Sequence, residues 1–131
     1  MFLSRLQFFL FLALIGTGLT PLAGQVVDPA TRSLEFNAKI KPFLSKYCYD
    51  CHGDGSAKGQ VSLDDPQKGA HKIDNRDLWL QIWKNLRSDL MPPAKKEQPE
   101  IAEKQEVLHW IERNVFLLNH ENPDPGRITM R

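Results

Sequence analysis

Cys48 and Cys51 are the only cysteines among the 131 residues, and His52 follows them directly. No other feature narrows the possible folds as far. A disulfide between the two would close too short a loop to staple a domain. Zinc would need a fourth ligand and usually a second spaced pair, whereas His71, His109 and His120 are scattered. A thioredoxin-like redox pair needs a βαβ setting, and no stretch of the chain alternates as a strand does.

The run Cys48-Tyr49-Asp50-Cys51-His52 has the attachment spacing for a c-type haem. Residues i and i+3 on a helical turn face the same way, so both sulfurs can form thioethers to the two vinyl groups along one side of a porphyrin. His52, one residue on, then places an imidazole under the iron. The expectation is one haem c, containing iron, per chain. Gly53 lets the backbone pass the haem edge or turn away.

The sixth ligand is sought among methionines and histidines. Met91 stands 39 positions after His52 and before Pro92-Pro93. A residue before proline is pushed out of helical geometry, and two prolines in series make a stiff, extended segment able to hold a thioether sulfur. The bland alternative is that Met91 fills core, as most methionines do. Met130 lies in the tail. His71, in a loop, competes as a distal ligand. His109 reads as a surface or helix-packing residue, and His120 suits the negative end of a helix.

The remaining pattern is helical. Phe36, Ile40, Phe43, Leu44 and Tyr47 share one helix face, with a kink or a fresh start expected at Pro42. Gln25–Arg32 reads as a polar lead, and 53–75, rich in Gly, Asp, Lys and Ser, as a loop. Leu78, Ile82 and Leu86, with Trp79 and Trp83 one position over, mark a helix over Arg76–Ser88. A last helix is expected from about Pro99 to Leu118. Pro99 suits its first turn, Glu100 and Glu103 its positive end, and Arg113 its later part. Its stripe is Val107, Leu108, Ile111, Val115 and Leu118, with Trp110 beside it. Phe36, Phe43, Trp79, Trp83 and Trp110 are expected in the core or the haem wall. Lys39, Lys41, Lys46, Lys95 and Lys96 are expected in solvent, with some rimming a haem edge.

The ends set an expected address. Arg5 followed by the apolar run Phe8–Ile15 and then Pro21 and Gly24 has the form of a secretory signal over residues 1–24. The run is shorter than the ~20 residues a membrane-spanning helix needs, so stable membrane contact is expected only if this segment is retained. Gln25, where a lipoprotein would carry Cys, argues against a lipid anchor. The expected compartment is the periplasm or an equivalent. Without residues 1–24 the chain holds 16 basic and 16 acidic residues, since only Arg5 is lost from 17 and 16. A neutral chain lacks the basic face of a nucleic-acid binder. Asn122–Gly126 reads as a linker, which leaves a C-terminal continuation domain as an expected partner of the tail, residues 121–131.

Taken in order, Pro42-Phe43-Leu44, the run Cys48–Gly53, Ser62-Leu63-Asp64, the helix from Trp79 to Leu86, Met91-Pro92-Pro93 and Trp110-Ile111 resemble a planctomycete-type cytochrome c domain. The resemblance spans about residues 34–118, within an expected domain of 33–120. It implies an all-α, class I cytochrome c fold, with three to four helices around one covalently bound haem and the first and last helices crossing. It also implies that Cys48 and Cys51 are the thioether residues, His52 the proximal ligand and Met91 the distal ligand. The implied function is electron transfer with a redox partner protein and no independent catalytic site. The alternative is the haem domain of a larger redox enzyme or a ligand sensor. Beyond Asp89, the sequence shows no acid/base pair near Met91 for such an enzyme.

Overall fold

The computed structural model describes residues 28–119. The expected signal segment, His120, Met130 and the tail lie outside these residues. Within them every regular element is helical. Helix α1 (Pro29–Glu35) passes through a π-helical turn (Phe36–Ile40) into α2 (Lys41–Tyr47). A one-turn helix α3 (Tyr49–His52) follows, then a short 3-10 turn (Lys58–Gln60), α4 (Arg76–Arg87) and α5 (Ile101–Asn114). Counting α1 through α2 as one bent helix gives four helices among the described residues, the all-α arrangement the sequence implied.

The bend has a local cause. Pro42 occupies the first turn of α2, where its missing N–H costs least, and the π turn just before it absorbs the break. The chain also becomes helical earlier than the polar lead suggested. Asp28 caps α1, its carboxylate accepting from the Thr31 amide at 3.1 Å, with Pro29 in the first turn. No α1 residue is buried, so the segment carries no apolar stripe. Helix α5 begins later than expected. Glu100 is its N-cap, in a capping box with Glu103, and Pro99 stays outside. It ends at Asn114; Leu117 adopts φ +60° and Leu118 is exposed, so Leu118 leaves the predicted stripe.

The core sits where α5 runs back along the first helix. Glu35 meets Arg113, Lys39 meets Glu106 and Tyr47 meets Glu103, so the two helices are antiparallel. Between them and α4 lie three mutually packed rings. Phe36 and Trp79 meet edge-on at 6.3 Å, Phe36 and Trp110 at 6.0 Å, and Trp79 and Trp110 at 5.4 Å. Ile40, Leu44 and Ile111 complete this fully buried centre. Trp83 lies outside it, half-buried, with its Nε1 donating to Glu112 and its face under Arg87.

The loop between α3 and α4 is tied into this frame rather than hung from it. The Asp64 carboxylate accepts from the Ser62 hydroxyl (2.7 Å) and the Asp54 amide (2.8 Å), and these bonds hold it below the usual carboxylate range. Leu63, between them, turns inward and is buried. The Ala70 amide donates to the Leu63 carbonyl. Gly69 sits against this crossing so closely that a Cβ there would lie 2.5 Å from the Leu63 oxygen.

Candidate functional site

A cavity of about 440 Å³ opens beside the aromatic core. Its size falls in the ~300–1,000 Å³ range of small-molecule and cofactor sites. Its wall is mostly carbon: Phe43 from α2, Leu63 from the loop, and Leu78, Ile82 and Leu86 from α4. Cys48, Cys51, His52 and Met91 all line it. The structure thus brings together the four residues singled out from the sequence, although Met91 is 39 positions from His52.

The cysteine side is built by one turn of backbone. The Cys51 and His52 amides both donate to the Cys48 carbonyl, at 3.1 and 2.9 Å. That winds Cys48, Cys51 and His52, at i, i+3 and i+4, onto a single turn, as the spacing required. Burial in the apolar wall pushes the Cys48 thiol up to about 12, and neighbouring Cys51 adds to the shift, so Cys48 is a neutral thiol near pH 7. The Cys51 sulfur has the Lys58 ammonium 3.4 Å away. His52 Nδ1 is buried with no hydrogen-bond partner. Gly53 is required by local packing: a Cβ there would lie 2.8 Å from the Tyr49 ring.

The methionine side is a bend, not the extended rod that two prolines suggested. The Leu90 and Met91 amides both donate to the Asn85 carbonyl near the end of α4, at 3.0 and 3.2 Å, and so turn the chain back. The Met91–Pro92 peptide is cis, Pro92 is buried and Met91 is 41% exposed. The Lys96 amide closes a further turn onto the Pro93 carbonyl at 2.8 Å.

Charged groups join the two sides around the cavity. Lys96 reaches Asp50 at 2.6 Å and Lys46 reaches Glu97 at 3.1 Å. The Lys96 ammonium holds the Asp50 carboxyl below the usual range, and Asp50 raises Lys96 in turn. Of the five lysines expected in solvent, Lys46 and Lys96 therefore rim the cavity, while Lys39 pairs with Glu106 on α5.

Other candidates are placed elsewhere. His71 lies exposed in its loop, 3.1 Å from the Pro66 carbonyl, and does not line the cavity. His109 is an exposed residue of α5. Asp89 pairs with Lys104 and is also absent from the cavity wall. Among the described residues no group of three or more His, Cys, Asp or Glu side chains is placed to hold a metal ion, and no helix is long and apolar enough to cross a membrane. Sequence reasoning missed Lys58, Asn85 and Gln98 around the site, because Lys58 meets a thiol, Gln98 meets backbone carbonyls and Asn85 acts through its own carbonyl, contacts that only the chain path brings about.

An all-α frame with a Cys-x-x-Cys-His turn opening on an apolar, cofactor-sized cavity defines the class of a cytochrome c-like, haem-binding redox domain. Residues 48–95 match the family model described as Planctomycete cytochrome C, which supports the resemblance to a planctomycete-type cytochrome c domain. The cytochrome c family implies haem c as the cofactor, and such domains are typically extracytoplasmic. No curated protein and no solved structure matches the chain.

Proposed function

We propose that this chain is an exported electron-transfer protein holding one haem c, with Cys48 and Cys51 as thioether residues and His52 and Met91 as axial ligands. The observation that carries the proposal is the meeting of these four side chains on one apolar cavity. The residues fit the group. Two thiols lie on one helical turn, and the apolar wall suits a porphyrin face. His52 has its Nδ1 buried in the protein, which leaves Nε2 for a metal. The haem, when bound, supplies a one-electron iron couple, and a methionine ligand raises its potential. The chain's own residues attach the cofactor, exclude water through Phe43, Leu63 and Ile82, and fix the two ligands from separate elements.

A carrier needs no substrate acid or base beside the iron. Asp89, the acid next to Met91 in sequence, is paired with Lys104 on α5, and the acids that line the cavity, Asp50 and Glu97, are paired with Lys96 and Lys46. The partner is a redox protein approaching the cavity mouth, where Lys46 and Lys96 are already matched by Glu97 and Asp50. The test is the visible spectrum of protein matured with haem-attachment machinery. Met91→Ala should abolish the sulfur-to-iron charge-transfer band of the oxidised protein while haem stays attached. A band unchanged by Met91→Ala removes the axial assignment. Tight carbon monoxide binding to the reduced wild-type protein would instead favour a ligand sensor or enzyme domain.

A further inference from the structure

Gln98 makes contacts that an ordinary loop glutamine does not. Its side-chain nitrogen lies 3.3 Å from the Pro92 carbonyl, 3.0 Å from the Pro93 carbonyl and 3.0 Å from the Lys96 carbonyl. Three acceptors converge on one NH₂ group, which carries two hydrogens, so the amide orientation is fixed: the opposite flip would set its oxygen against three carbonyl oxygens. Pro92 and Pro93 have no N–H and cannot brace this stretch through their own amides. The backbone bond from Lys96 to Pro93 closes the turn, and Gln98 ties that turn back to the residue after Met91. On the other flank, Met91 is held through its own amide to Asn85. The methionine is thus clamped from α4 on one side and by Gln98 on the other.

We infer that Gln98 is the positioning residue for Met91: its carboxamide fixes the Met91-Pro92-Pro93 bend and so sets how firmly the sulfur holds its place in the cavity. This inference rests on the axial role proposed for Met91. Gln98 does not line the cavity, and its contacts are all to backbone carbonyls, so it acts through the backbone. A ligand on a loosened loop yields its site more readily to a competitor, because its bound position is no longer pre-organised. Gln98→Glu is the sharper variant. It keeps the shape but replaces the donor with a carboxylate facing carbonyl oxygens.

The experiment titrates oxidised holoprotein with imidazole and follows loss of the sulfur-to-iron band, with thermal unfolding recorded in parallel. Gln98→Ala should lower the half-displacing imidazole concentration about tenfold, equal to about 1.4 kcal/mol, and Gln98→Glu by at least as much. Gln98→Asn, whose amide is one methylene shorter, should fall between wild type and Gln98→Ala. Displacement curves that coincide with wild type for both Gln98→Ala and Gln98→Glu would overturn the inference, even if both variants melt earlier, because that pattern marks a merely structural residue. Failure of the underlying reading looks different: Met91→Ala would then keep the band, and Gln98 would have no ligand to position.

Discussion

The two sides of α4 face different surroundings. On one side Trp79 is completely buried and packs its ring against Phe36 and Trp110, whose rings come from the first and last helices. On the other side Leu78 and Ile82 face a cavity whose walls are as apolar as a core but whose centre the chain does not fill. Phe43 and Leu44 divide α2 in the same way, one on the cavity wall and one fully buried. Stability on the aromatic side is supplied by the polypeptide. On the cavity side the lining is apolar and suits contact with a large apolar group. The helices are therefore shared between a side packed by the chain's own aromatic rings and an apolar cavity wall of a size that suits a cofactor.

Breaking the scaffold should have the largest effect. Trp79→Ala removes the central ring of the aromatic trio and should cost about 3–5 kcal/mol, read from denaturant unfolding with or without haem. Gly69→Ala comes next. Its Cβ would collide with the backbone of Leu63 and Asp65, so a cost of about 1–3 kcal/mol is expected, along with a displaced Leu63 wall. Ile82→Ala tests the difference between the two sides directly. In the haem-free Cys48→Ala/Cys51→Ala chain it should cost about 1 kcal/mol or less, because the side chain borders open space. In the loaded protein the cost should be clearly greater. Equal costs in both forms would show that Ile82 does not meet the cofactor.

Charge effects are expected to be smaller. Asp64 is held below its ordinary value by Ser62 and the Asp54 amide, Asp65 by the Gln67 and Lys68 amides, and Glu103 by the Tyr47 hydroxyl and the Glu100 amide. A carboxyl lowered in the fold binds its proton more tightly in the unfolded chain. Its contribution is therefore complete above the unfolded value and is lost as pH falls through the folded one. Unfolding midpoints should be flat between about pH 5 and 8 and fall as the pH drops through about 4. Asp64→Asn should make that fall shallower. Smallest of all is Lys96→Ala. The Lys96–Asp50 pair is solvent-exposed, and its loss should leave the unfolding midpoint unchanged at ordinary salt.

The legible parts of this molecule are those where period and burial agree. Helix α4 was readable because Leu78, Ile82 and Leu86 repeat at helical spacing and all meet apolar surface. The cysteine turn was readable because its chemistry lies within five consecutive residues. The start of α1 was not, since a helix that buries nothing leaves no stripe; only Asp28-Pro29, a capping residue and a first-turn proline, marked it. The end of α5 was overrun because Leu117 and Leu118 continue an apolar pattern that the backbone abandons after Asn114. The joining of Met91 to the cysteine turn depends on α4 folding back against α5. The bonds that shape its bend run to backbone carbonyls, from the Leu90 and Met91 amides to Asn85 and from the Gln98 side chain to Pro92, and no apolar periodicity records them.

The central claim is that the unfilled side of the helices is a covalent haem site. Its most direct test is to express the chain with haem-attachment machinery, denature it, extract with acidified organic solvent and record the absorption spectrum of the protein fraction. The account predicts that the haem spectrum stays with the denatured wild-type chain and is absent from Cys48→Ala/Cys51→Ala. A colourless wild-type chain after extraction, or haem retained by the double variant, would contradict it.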